Sequence, residues 1–147
     1  MRYSVQTTIK APIDEVIKRF DNADMMKEWM PGLVKFEHIS GEPGQVGAKS
    51  KLTYQMGKRT VEMIETITER DLPRAFNGTY VANGVYNEVG NAFEAIDEKT
   101  TRHVSEQYFQ FKGGMKIIGF LFPGAFKKQS QKYLDDFKAF VERDYQG

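Results

Sequence analysis

YSVQTTIKAPIDEVIKRFDNADMMKEWMPG, residues 3–32, begins as a strand and ends as two helices. Tyr3, Val5, Thr7 and Ile9 alternate with their neighbours as far as Lys10, the period-2 pattern of a strand. Pro12 suits a first helical turn, where its missing N–H would have no partner anyway. Asp14 and Glu15 then set negative charge at the positive end of the helix dipole. Ile13, Val16, Ile17 and Phe20 form a 3.6-period stripe. Asp21-Asn22 closes this helix, and Ala23 to Met30 reads as a second short one that stops at Pro31-Gly32. The first strand therefore feeds a two-helix elbow and not a hairpin.

Downstream of the elbow the pattern is strand after strand. Leu33–Ser40 and Ala48–Met56 are separated by a segment holding Gly41, Pro43, Gly44 and Gly47, which supplies turn chemistry. Gly57-Lys58 turns into Arg59–Arg70, and Asp71-Leu72-Pro73 breaks the chain before Ala75–Ala82. Asn83-Gly84, among the strongest short hairpin signals, leads into Val85–Ile96. Asp97-Glu98-Lys99 turns into Thr100–Phe111. After Gly113-Gly114 the period changes. Phe126, Ser130, Tyr133, Leu134, Phe137, Phe140 and Val141 share one helical face, and Lys127, Lys128, Lys132, Asp135, Asp136 and Glu142 fall away from it. A kink or a fresh start is expected at Pro123-Gly124.

Composition narrows the function classes. The chain of 147 residues is 40% hydrophobic, enough for a real core, and residues 1–147 read as a single domain. Its 21 basic and 20 acidic residues leave a net charge of +1, so no overall field selects nucleic acid. Cysteine is absent, which removes disulfides and thiolate chemistry and is compatible with a reducing cytoplasm. Met1 to Gln6 has no signal-peptide core, and no run reaches the ~18 apolar residues of a membrane span. A cytoplasmic location is therefore expected. His38 and His103 lie on separate strands with no third ligand at a telling spacing, so neither metal nor other cofactor is expected. Gly-x-Ser-x-Gly is missing, and the glycines at 41, 44 and 47 open no helix as a phosphate loop would.

Strands joined by short turns make an antiparallel meander that must bury one face, and only the C-terminal helix is long enough to cover it. A strongly curved sheet around one helix leaves volume that something has to fill. In this order and spacing the chain resembles, over essentially its whole length, the helix-grip fold of the START, polyketide-cyclase and pollen-allergen superfamily (SRPBCC). The resemblance is carried by Ala11-Pro12 with Val16 and Phe20, by Trp29-Met30-Pro31-Gly32, and by Gly41, Gly44 and Gly47. Thr101-Arg102 before the last strand and Gly113 after it also fit. It implies an α+β fold: a curved antiparallel seven-stranded sheet wrapped round a long C-terminal helix, with two short helices after the first strand. Members bind lipids, polyketides, sterols, hormones or other apolar molecules, and some are cyclases or hydrolases, so the fold alone does not settle function.

Strand parity supplies candidate cavity residues. On Val85–Ile96 the inward set is Val85, Asn87, Val89, Asn91 and Phe93, with Glu88 and Glu94 in water. Asn87 and Asn91 orient a guest or bond to neighbouring backbone or water. On Arg59–Arg70 the apolar parity is Val61, Met63, Glu65 and Ile67. Glu65 there is a general acid, a donor to a ligand carbonyl, half of a salt bridge to Arg59 or Lys51, or a sheet-edge residue facing water. Phe109 and Phe111 favour the odd parity on the last strand, which brings His103, Ser105 and Gln107 inward; Val104 and Tyr108 favour the even one, with Glu106 inside. His103 is then a cavity imidazole, acting as acid, base or ligand contact, or a structural residue. Tyr54 and Met56 on the Leu52 face, and Trp29 with Met25 and Met26 near the mouth, complete the wall. The seven methionines suit a pocket of variable shape as well as ordinary core.

Lys112, Lys116, Lys127, Lys128 and Lys132 flank the apolar run Met115–Phe126 with no acidic residue among them. Such a segment serves as a membrane contact at ~1 kcal/mol per lysine near an anionic surface, as a cap on the sheet, or as a dimer patch. The expected function is binding or transport of a small hydrophobic ligand (a lipid, polyketide or aromatic compound) by a monomer or homodimer. One alternative is a cyclase- or aromatase-like enzyme using Glu65 or His103; the other is a domain that docks a membrane or partner through its basic C-terminal helix.

Overall fold

A computed structural model describes all residues from Met1 to Gly147. Strand β1 (Arg2–Ile9) is followed by α1 (Ile13–Phe20), a 3-10 turn (Ala23–Met25) and α2 (Met26–Trp29). Then come β2 (Leu33–Ser40), β3 (Lys49–Met56), β4 (Arg59–Asp71), β5 (Ala75–Ala82), β6 (Val85–Asp97) and β7 (Thr100–Phe111). Helices α3 (Met115–Leu121) and α4 (Pro123–Asp144) end the chain. The expected second helix is thus split. The Asn22 side chain accepts the Asp24 N–H at 3.0 Å, a tight cap that starts a 3-10 turn before α2 begins. The expected restart at Pro123 is present: proline has no N–H to extend α3 and is suited to open α4.

The seven strands form one antiparallel sheet in the order β1-β7-β6-β5-β4-β3-β2. Sequence neighbours β1 and β2 therefore occupy opposite edges, and α1–α2 carries the chain between them. Register shifts between Leu33 and Lys35, His38 and Ser40, Ile67 and Glu69, and Ala95 and Asp97 add local bend and twist.

The placement of α4 creates the cavity. The helix is tied along the edge strand β1, not across the middle of the sheet. Tyr3 donates its hydroxyl to the Phe126 carbonyl at 2.9 Å and lies 2.6 Å from the Ser130 hydroxyl. Gln131 donates to the Gln6 carbonyl and Lys138 to the Thr8 carbonyl, satisfying acceptors on that edge. At the far end Arg19 of α1 bonds Asp144 at 2.8 Å and Glu15 at 3.0 Å. The C-terminal half of α4 buries Leu134, Phe137, Phe140 and Val141. Phe137 packs against Phe20, Trp29, Phe93 and His103, with ring centroids 4.7 to 6.4 Å apart. No comparable wedge fills the space between the N-terminal half of α4 and strands β3–β6.

Candidate ligand-binding cavity

That space is a cavity of about 470 Å³, and twenty of its thirty-five lining residues are hydrophobic. The sheet presents it with alternate residues of successive strands. Ser50 faces Glu65 across β3–β4, Glu65 faces Tyr80 across β4–β5, and Tyr80 faces Asn87 across β5–β6. Pairing at even spacing keeps all of these side chains on the concave face.

A polar cluster lies in this largely apolar wall. Glu65 is 9% exposed and its Oε2 accepts the Tyr80 hydroxyl proton at 2.7 Å. Burial pushes the Glu65 carboxyl above its usual range, and the bond from Tyr80 draws it part of the way back. Burial also raises the phenols around it. Tyr54 is pushed up to about 12, chiefly by desolvation, and Tyr80 and Tyr133 stand well above the ordinary tyrosine value. All three tyrosines remain neutral at physiological pH, and the Tyr80 O–H is already engaged by Glu65. Glu65 forms no ion pair with either expected cation. Lys51 sits opposite Ile64 in the register, so it points to the convex face, where it lies 3.8 Å from both Glu37 and Glu62. Arg59 starts β4 in solvent beyond the turn.

The inward parities expected for β4, β6 and β7 match the register, including the odd set on β7: His103 and Ser105 are buried and Glu106 is exposed. Trp29, Tyr54, Met56, Met63, Asn87, Asn91 and Phe109 all line the cavity. Met56 does so at the rim, 54% exposed at the end of β3. Asn87 donates to the Gln107 side chain and the Tyr108 carbonyl, both at 3.1 Å, and Gln107 donates to Ser105 at 2.8 Å.

His103 is the correction. It is 2% exposed and lies behind the wall, stacked on Phe93 at 4.3 Å and edged by Phe20 and Phe137. Its Nε2 is 2.9 Å from Asn91 Oδ1, so the imidazole N–H donates there and Nδ1 is left without a partner. Burial among phenylalanines lowers its pKa to about 3. His103 is therefore buried behind Asn91 and does not line the cavity. Parity placed it inward correctly, but inward at this end of the sheet means core, because Phe137 fills the space there.

Tyr80 and Tyr133 escaped the sequence reading as site residues. Tyr80 shares the β5 parity of Phe76 and Ala82, a signal available in the alternation alone. Tyr133 sits on the apolar face of α4, where only the empty space opposite distinguishes it from core. No three His, Cys, Asp or Glu side chains converge as metal ligands. No helix is long and apolar enough to cross a membrane.

Several solved structures share this architecture. A conserved protein from Geobacillus kaustophilus superposes with a TM-score of 0.82 at 16% identity, covering 97% of this chain and 96% of that one. The Zhui aromatase/cyclase from Streptomyces sp. R1128 gives 0.80 at 14% identity, covering 97% and 94%. Norcoclaurine synthase from Thalictrum flavum, solved with dopamine and hydroxybenzaldehyde, gives 0.73 at 18% identity, covering 100% and 89%. No curated protein sequence matches the chain significantly. Identities this low carry the helix-grip fold and nothing finer. The family model described as polyketide cyclase / dehydrase and lipid transport, however, matches residues 1–142, and the protein belongs to that family.

Proposed function

We propose that the cavity binds a small, mainly apolar molecule and holds one polar group of it against Glu65, Tyr54, Tyr80 and Tyr133. One observation carries this reading: a space of about 470 Å³, lined mainly by hydrophobic residues, into whose wall a buried carboxyl and three neutral phenols are gathered. The volume falls in the range of roughly 300–1,000 Å³ usual for small-molecule sites, and a few convergent polar groups in an apolar pocket fix orientation. The Tyr80 O–H is held by Glu65, so the second Glu65 oxygen and the remaining phenols meet the guest, a mixed set that suits a hydroxyl, phenol or carbonyl. Native mass spectrometry of protein purified from its own host checks this: a bound small molecule is expected, and it leaves on mild organic extraction. Repeated absence of any guest, together with no uptake of apolar fluorescent probes, would sink the reading.

A second reading is supported by the Glu65–Tyr80 bond. A carboxyl raised by burial is able to protonate a carbonyl that enters the cavity, the step an acid-assisted cyclisation or dehydration requires. His103 has no part in it. The discriminating measurement is turnover of an added carbonyl-bearing guest: under the enzyme reading the wild-type chain converts it and Glu65→Gln abolishes conversion, whereas under the carrier reading the guest is bound and recovered unchanged.

A further inference from the structure

Helix α3 is built the wrong way round for a helix whose partner is its own sheet. Its inward positions are Met115 and Gly119, four residues apart, and no side chain in it is buried. A Cβ on Gly119 would come 2.6 Å from the Phe111 ring, and one on Gly84 would come 2.9 Å from Met115 Cγ, so α3 is seated closely by its smallest face. Its large apolar side chains turn outward instead. Phe120 is 83% exposed, and Ile117, Leu121 and the following Phe122 are each more than half exposed. An unpartnered apolar cluster of this kind marks an interaction surface.

The charge around it selects the occupant. Lys112, Lys116, Lys127 and Lys128 flank the cluster, are exposed and make no salt bridge. Lys132 is different, being paired with Asp136 at 2.6 Å and lining the cavity. No acidic residue occurs between Glu106 and Asp135. Apolar side chains ringed by uncompensated lysines match an anionic bilayer, with the former entering the acyl boundary and the latter at the phosphates. A second copy of this chain would bring the same four lysines against one another.

We propose that α3 and the first turns of α4 dock on an anionic lipid bilayer, with Phe120, Leu121 and Phe122 inserted and Lys112, Lys116, Lys127 and Lys128 on the headgroups. This deepens the ligand-binding reading, because Phe111 beneath Gly119 stacks on Phe109 and contacts Phe126, and those two rings line the cavity. The docked face then adjoins the cavity wall.

Flotation of the whole chain with vesicles of neutral phosphatidylcholine, and with vesicles one third phosphatidylglycerol, tests the proposal. Binding is expected to the anionic vesicles and to weaken with salt. Partition should fall by about fivefold for each lysine changed to glutamine, and by roughly tenfold or more in Phe120→Ser/Leu121→Ser. Native mass spectrometry of the Phe120→Ser protein keeps this apart from the cavity reading, since Phe120 lies outside the cavity and the guest should be retained. Failure of the wild-type chain to float with anionic vesicles, or flotation indifferent to Phe120→Ser/Leu121→Ser, overturns the docking proposal. A solution dimer dissolved by Phe120→Ser also overturns it, by assigning the face to a second copy.

Discussion

The two halves of α4 carry the same apolar stripe and do opposite things. From Phe137 to Val141 the stripe is buried in the core with residues of α1 and α2 and with Phe93 of β6, while His103 of β7 packs on Phe137. From Phe126 to Tyr133 it forms the roof of a cavity. Nothing in the helix itself separates the halves. The difference comes from the opposite wall: Phe20, Trp29 and Phe93 reach Phe137 at one end, whereas the middle strands offer Asn87, Gln107, Tyr80 and Glu65 at the other. One half of the interior is thus spent on stability and the other left for a guest.

The largest expected effect sets the scale of the closed half. Phe137→Ala should cost ~3–5 kcal/mol in urea unfolding, as full truncation in a packed core does. Phe126→Ala, on the cavity roof, should cost only about 1–2 kcal/mol because its ring already borders open space. Equal losses would erase the distinction between the halves.

The titratable groups divide the same way. His103 in the closed half is held neutral down to about 3, against an ordinary value of 6.5. The unfolded chain binds a proton there first, so this stabilisation is complete above pH 6.5 and drains away as pH falls towards 3. A loss on the order of 2–3 kcal/mol by about pH 4.5 is expected, and His103→Leu should flatten that part of the stability–pH curve. Glu65 on the cavity wall has the opposite sign. Its carboxyl is raised, so its contribution is intact below pH 4.5 and lost as pH climbs through the raised value. Glu65→Gln should therefore remove the fall of Tm with rising pH on this limb of the curve. An unchanged slope would mean that Glu65 titrates alike in the folded and unfolded chains. The smallest effect belongs outside both halves: Phe120→Ser should change stability by less than about 0.5 kcal/mol, since it removes no packed contact.

Much of this is legible in the sequence. Turn signals such as Gly57-Lys58 and Asn83-Gly84 punctuate the meander, and all seven strands begin and end within one residue of the expected positions. Alternation alone put Glu65, Asn87 and Asn91 on the concave face, because a side chain's face in a strand depends only on parity and local backbone. The break before α4 followed from the missing N–H of Pro123. These are short-range properties, written in neighbouring residues.

Whether a concave residue meets core or cavity is a long-range property. His103 and Asn91 are both inward, yet Phe137, thirty-four positions beyond His103, makes the first structural and leaves the second on the wall. Tyr80 and Glu65, fifteen residues apart, become partners only through the β4–β5 register. The outward face of α3 likewise became apparent only when Phe111 was seen to occupy the space beside Gly119. Local chemistry therefore determined the elements and the facing of each side chain. The tertiary structure alone decided which facings are filled, because volume belongs to no single segment and depends on what every other element brings to it.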